Sequence, residues 1–328
     1  MIQSWRKILH AGFGMLFVAA ALPAHAQSYP SRPITIVSPF PAGGPTDTTG
    51  RILADKMREA LGQPIIIENI SGAAGSIGTG RVARAAPDGH TLVLGYWGTH
   101  VVNGAIYDLS YDVMKDFEPI ALLPGQPLLV VAKKTMPAND LKELINWLRF
   151  NPDKASQGTA GIGSIGHVAG LFFQRETGTR FQLVPYRGVA PLMQDLLAGQ
   201  IDLAFPAPVT SIPQARAGLI KAYAVTAKSR LAIASEIPTV DEAGVPGLHL
   251  SLWQGLWAPQ GTPQDLISKL NDAVVLALAD VAVRQKFVDQ GFDIPSRELL
   301  SPQALRTYQQ AEIDRWWPIL RAANIKAN

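Results

Sequence analysis

The chain has 328 residues, 47% of them hydrophobic and 17% charged, with 29 Lys and Arg against 26 Asp and Glu and no cysteine. Without cysteine there is neither a disulfide framework nor a lipobox for a lipid tether, so stability must come from a packed core. Lys and Arg are scattered singly among apolar and acidic neighbours, which excludes the concentrated basic face that nucleic-acid binding needs.

Residues 1–26, "MIQSWRKILHAGFGMLFVAAALPAHA", place Arg6 and Lys7 ahead of an apolar run and end in Ala24-His25-Ala26. This reads as a secretory signal cleaved after Ala26, which predicts a periplasmic protein. The apolar run, Ile8 to Leu22, falls short of the ~20 residues that span a bilayer. Removing the segment leaves 27 Lys and Arg against 26 Asp and Glu, so the mature chain is nearly neutral. Its roughly 300 residues predict two domains of ordinary size.

In chain order, "ITIVSPF" (34–40) predicts a buried strand, followed by a helix from Thr46 that carries Ile52, Leu53, Met57 and Leu61 on one face and stops at Gly62. "PIIIEN" (64–69) predicts the next strand, then a helix over 77–86 closed by "PDG", then the strand "HTLVLGY". This β-α-β-α-β order predicts a parallel sheet with helices on both faces. After "PIALL" and "PLLVVAK" the pattern restarts. Asp140 with Glu143 reads as a capping box opening a helix, and the strands "ASQGT", "QLVPY", "IDLAF" and "IKAYAVTA" alternate with helices over 165–177, 189–198 and 208–217. "LHLSLWQGLWAP" leads to terminal helices opened by Thr262-Pro263 and Ser301-Pro302, with Pro318 expected to kink or split the last one.

The predicted architecture is therefore α/β, two doubly wound lobes joined by strand-like crossovers near 124–130 and 247–256, with a cleft between them. Ligands of open α/β sheets bind beyond the carboxyl ends of the strands, so the strand-to-helix loops are the candidate site. "SPFPAGGPTDTTG" places Gly43 and Gly44 before a helix start, which suits an anion held by uncapped amides at a positive dipole end; an ordinary turn capped by Thr46 or Asp47 fits equally.

"GTAGIGSIGH" (158–167) contains Gly161, Gly163 and Gly166 in the spacing G-x-G-x-x-G. A dinucleotide fold wants an acidic residue about 20 positions on, to hold the ribose. Here Val184-Pro185-Tyr186-Arg187 stands there instead. The glycines fit a simpler use, a second set of exposed amides facing the first across the cleft. Two further segments end strands toward the same region. "GYWGTHVVNGAIY" puts Trp97 beside Thr99, His100 and Asn103, suiting either a pocket wall or a buried Trp at a helix start, and "FPAP" places Pro206 within reach from the second lobe.

Catalytic readings are weaker. Ser164 and Ser76 lack the leading glycine of G-x-S-x-G, and His167, three residues after Ser164, has no acidic neighbour in sequence to orient it. Asp195 and Asp202 read as solvated or capping residues. Among His90, His100, His167 and His249 no pair has metal-ligand spacing, and there is no Walker A sequence. No cofactor is expected. A hydrolase using Ser164, a dehydrogenase, and a ligand-sensing partner of a signalling system stand as alternatives.

Nine phrases in order over nearly the whole mature chain, among them "YPSRPITIVSPFPAGGPTDTTGR", "GAAGSIGTGRVARAAPDGHTLVLG", "GTAGIGSIGH", "VPYRGVAP", "LLAGQIDLAF" and "WQGLWAPQGTP", resemble the exported solute receptors of the tripartite tricarboxylate transporter system. The resemblance implies a periplasmic-binding-protein-like fold, residues 27–127 plus 253–328 forming one domain and 128–252 the other. It implies a monomer that captures a small organic anion and delivers it to a membrane permease. It also implies ligand contacts from Phe40, Ala42, Gly43, Gly44, Thr46 and Asp47 in the first loop and Ser164, Ile165, Gly166 and His167 in the second. Pro41 and Pro45 depart from the small residues common in that family and are expected to stiffen the first loop; Trp97 is expected to give the pocket an aromatic wall.

Overall fold

The computed structural model describes residues 29–161 and 164–322. The signal-segment reading and Gly163 lie outside them.

The first half builds one sheet from β1 (Ile34–Ser38), β2 (Ile65–Asn69), β3 (Thr91–Tyr96) and β4 (Phe117–Pro127), with α1 (Pro45–Leu61), α2 (Ser76–Ala83) and the short α3 (Asn103–Ile106) between them. The chain then builds a second sheet from β5 (Leu129–Lys133), β6 (Ser156–Thr159), β7 (Gln182–Pro185), β8 (Leu203–Ala204) and β9 (Ile220–Val225). Its helices are α4 (Leu141–Phe150), α5 (Ile165–Thr177), α6 (Val189–Leu197) and α7 (Pro208–Arg216). Finally β10 (Ser251–Pro259) returns to the first sheet and is followed by α8 (Gln264–Ala279), α9 (Val281–Val288) and α10 (Pro302–Ala322).

The sheets have the orders β2-β1-β3-β10-β4 and β7-β6-β8-β5-β9. In each, three strands run parallel, β2-β1-β3 and β7-β6-β8, and the remaining two add antiparallel. The sheets are thus mixed rather than wholly parallel, because one crossing strand in each, β10 in the first and β5 in the second, runs opposite to the other four. The shared order puts a switch point at the carboxyl ends of β1 and β3 in one lobe and of β6 and β8 in the other, where crevices form.

Alternation along the strands sorts the core into layers. Ile34, Ile36, Leu92, Leu94, Leu256 and Ala258 face a layer closed by α1, α8 and α9, while Leu129 and Val131 face one closed by α6 and α7. The opposite faces merge: Val37, Val93 and Trp257 of the first sheet join Val130, Phe172 and Phe205 of the second lobe in one continuous core. At its centre the Phe172 ring meets Trp316 edge to face at 5.1 Å, and the Arg315 guanidinium lies 4.8 Å from both ring centroids.

Two terminal-helix expectations shift. Ser301 does cap α10, accepting the Ala304 amide at 3.1 Å. Thr262 instead donates its hydroxyl to Pro259 O, leaving Pro263 as the residue flanking α8. Pro318 lies inside α10, which runs on through it to Ala322 rather than splitting. Asp140 caps α4 as the spacing predicts, accepting the Glu143 amide at 2.8 Å, while Glu143 accepts the Asn139 amide at 2.7 Å.

Candidate functional site

The loop after β1 is held by side chains, not by a cap. Gly43 has φ +83°, a left-handed conformation that only glycine adopts without strain. Gly44 flanks α1 in extended geometry, Pro45 takes the first helical position, and no side chain caps the start. The amides of Thr46 and Asp47 therefore have no partner within the helix or from a side-chain cap. The Asp47 carboxylate turns back and accepts the Gly43 amide at 2.9 Å, the Arg51 Nε at 2.9 Å and the Asn69 amide at 3.0 Å. Asn69 also donates to Phe40 O at 3.0 Å, tying the loop to the end of β2. Burial pushes the Asp47 carboxyl up, but hydrogen bonds from Arg51, Gly43 and Asn69, together with the Arg51 charge, outweigh it and hold the group below its ordinary value.

The loop after β6 is built differently. Ser164 caps α5, its Oγ accepting the His167 amide at 3.3 Å. From beneath, the fully buried Gln157 donates its side-chain amide to Gly166 O at 2.8 Å and Gly158 O at 3.2 Å. Ile165 and Gly166 occupy the first turn, where backbone amides have no partner within the helix.

Two further helix starts turn toward the same space: α6 after Gly188, and α7 after Ala207 with Pro208 at its first position, neither with a side-chain cap. Together these elements enclose a cavity of about 400 Å³, within the range typical of small-molecule sites. Lobe one contributes Gly43, Pro45 and Thr48; α5 contributes Ser164, Ile165 and Gly166; Pro206, Val209 and Thr210 come from the β8 side. The crossovers and the segment after α9 add Gln126, Leu128, Leu252, Gln290 and Phe292. Among the described residues none that lines this cavity is ionisable.

The structure thus brings Gly43, Ser164, Ile165, Gly166 and Pro206 to one cavity. Phe40, Ala42, Gly44, Thr46 and Asp47 belong to the first loop without lining the cavity. Phe40 packs edge to face on Tyr96 at 5.0 Å, and Thr46 is buried with its hydroxyl accepting from Ser38 at 3.2 Å. The Asp47 carboxylate braces the loop from within α1. His167 is half-buried on α5, and burial holds its imidazole below the ordinary value.

Trp97, Thr99 and His100 all lie inside lobe one at 1% exposure or less, away from the cavity lining. Trp97 meets Trp316 edge to face at 5.7 Å, and His100 stacks on Trp257 at 3.8 Å while its Nδ1 shares a 2.9 Å hydrogen bond with Thr99 Oγ1. Burial pushes the His100 imidazole down to about 3. Helix α10 seals this segment: Gln309 donates to His100 O and Trp317 to Val101 O, both at 2.9 Å. Gln126, Gln290 and Phe292 were missed at the sequence level, since nothing local marks them as neighbours of a cleft. Gly188 and Pro208 did carry a signal, a glycine immediately before a helix and a proline at a first helical position.

Two sheets, crossing strands and a cavity ringed by helix starts, with no ionisable lining among the described residues, define a two-lobed solute-binding receptor. The model of the tripartite tricarboxylate transporter family receptors matches residues 49–325, and the chain belongs to that family. It is 37% identical over 312 residues to a protein of the TAR-I ttuE-ttuC' intergenic region of Agrobacterium vitis, covering 94% of this chain and 90% of that one. Among solved structures it resembles MatC from Rhodopseudomonas palustris with bound malate (40% identity, TM-score 0.74, 89% of this chain and 100% of that one). It also resembles another R. palustris protein, solved with adipate (34% identity, TM-score 0.76, 91% and 99%).

Proposed function

We propose that the protein is a periplasmic receptor that captures a small organic carboxylate between its lobes and presents it to the membrane permease of a tripartite transporter. The supporting observation is the convergence of the starts of α1 and α5, from opposite lobes, on one cavity that no ionisable side chain lines among the described residues. Helix starts stabilise an anion through hydrogen bonds and the helix dipole, with no buried cation whose desolvation must be offset. The malate and adipate of the two R. palustris structures are both carboxylates, which favours this chemistry.

The moving bodies are residues 27–127 plus 253–328 and residues 128–252, pivoting where β4 passes into β5 and where the chain enters β10. Closure is driven by contacts that the anion makes with both helix starts only when the lobes approach. The Ser164 hydroxyl serves as a helix cap, a role that needs no nucleophile, and receptor and enzyme readings separate in a turnover assay.

The decisive experiment removes one amide and keeps the fold. Proline is well tolerated at a first helical position, and Ser164 ahead of it is already extended, with φ −64° and ψ 157°. Ile165→Pro should weaken carboxylate binding relative to Ile165→Ala by about 1.5–3 kcal/mol, roughly 10- to 150-fold in Kd. Equal affinities of the two variants in calorimetry would reject the role of that amide. Consumption of a carboxylate by the wild-type protein would reject the receptor reading itself.

A further inference from the structure

We infer that the Thr226 hydroxyl clamps the two crossovers to each other where they enter the second lobe, confines the pivot to residues 126–127 and 251–252, and makes Thr226 a positioning residue for solute capture. The inference rests on the closure proposed above and deepens it by locating the bend and the group that limits it.

The crossovers run side by side as an antiparallel pair, Gln126 with Leu252 and Pro127 with Ser251. Thr226, one residue beyond β9, sits in the fork between the next two residues, Leu128 and Leu250. Its main chain bonds both: Thr226 N donates to Leu128 O at 2.8 Å, and Leu250 N donates to Thr226 O at 3.1 Å. The hydroxyl repeats the tie from the side. It accepts the Leu128 amide at 2.8 Å and gives its proton to Leu250 O at 2.6 Å, with Leu128 O 3.1 Å away. All three residues are buried, so a group stripped of its partner there stays dry unless the fork frays toward water.

A second tie bounds the pivot on the other side. Gly125 and Asp293 exchange both backbone hydrogen bonds, at 3.0 and 2.8 Å, and the β4–β10 register slips just beyond Leu252. Between the ties lie Gln126, Pro127, Ser251 and Leu252, the few residues over which a hinge absorbs rotation. Gln126 and Leu252 also line the cavity, so a solute touches the pivot itself. With the clamp intact both crossovers enter the second lobe as one body. Without it Leu128 and Leu250 join the pivot, and the open protein gains conformations that capture must then freeze out.

The test uses the absence of native cysteine. Spin labels on Asp55→Cys and Lys142→Cys, exposed on α1 and α4, report one distance between the lobes. Malate or adipate is expected to narrow its distribution in the parent. Thr226→Val should widen the distribution of the solute-free protein and weaken binding of the acid about three- to tenfold, the main-chain ties remaining. Thr226→Ser, which keeps the hydroxyl, should track the parent. An unchanged distribution in folded Thr226→Val, or equal effects of valine and serine, would overturn the inference and leave the carboxylate reading standing. If the valine variant does not fold, hydrogen exchange of the unsubstituted protein decides: the Leu128, Thr226 and Leu250 amides should be equally slow with and without malate, and their release in the free protein would overturn the clamp. A parent that binds neither acid, or binds without narrowing, would bring down capture by closure, while the solute-free comparison still decides the clamp.

Discussion

The loops after β1 and β6 occupy equivalent places in two sheets of the same strand order, yet they reach an anion-ready helix start by opposite means. In lobe one the bracing is ionic and runs from α1 to β2: Asp47 and Arg51 of the helix, with Asn69 of the strand, lock Gly43 and Phe40, and Pro45 leaves the first position without a donor. In lobe two a hydroxyl caps the helix and a buried neutral amide, Gln157, holds Gly166 from below. Equivalent topology thus fixes where amides emerge, and the choice of bracing side chain decides how sensitive each half is to substitution and to acid.

The largest effect should come from Asp47→Ala. It removes the acceptor of the Gly43 amide and of Arg51 and leaves the Asn69 side-chain amide donating to Phe40 O alone, which should destabilise the protein by roughly 2 kcal/mol and weaken carboxylate binding more than tenfold, read by urea unfolding and calorimetry. An affinity unchanged by this substitution would mean that lobe one does not depend on its ionic brace. Gln157→Leu is the counterpart in lobe two. It removes the donor to Gly166 O but also the buried Oε1 that has no partner, so a smaller loss, about 1 kcal/mol or less, is expected with a several-fold weaker Kd. Ser164→Ala should come last, costing about 1 kcal/mol of helix capping and only a few-fold in affinity.

Acid separates the braces from the core. The Asp47 carboxyl is held below its ordinary value, so its stabilisation is complete above the unfolded value near 3.8 and is lost as pH falls through the lowered one. His100 acts earlier. Held down to about 3 against an ordinary 6.5, it stays neutral in the native state while the unfolded chain takes up its proton. Stability therefore falls as pH drops from about 6.5 toward 3. His100→Gln should flatten the dependence of the urea midpoint between pH 7 and 4.5, whatever it does to the midpoint at pH 7; an unchanged slope would remove His100 as its source.

Period-two alternation and helix caps made the two α/β units legible, and Gly43 and Ser164 to Gly166 stood out because glycine before a helix is a local signal. Trp97, Thr99 and His100 left two readings open because an aromatic beside hydroxyls looks the same whether it meets a ligand or α10, which arrives 209 residues later to bond His100. Asp47 was legible as a polar loop residue but not as a brace, since its partner Asn69 sits on another strand. Gln290 and Phe292 reach the cavity only because the segment after α9 pairs with the crossover at Gly125, a contact that no local pattern announces.

The edge-to-face meeting of Phe172 with Trp316 joins rings from different lobes at a fully buried indole. The closure proposed above would alter what that indole sees, so its emission would follow it. Titrating solute while watching ultraviolet fluorescence would follow capture with no attached dye, and a change diminished in Phe172→Leu would assign it to this contact among the chain's seven tryptophans.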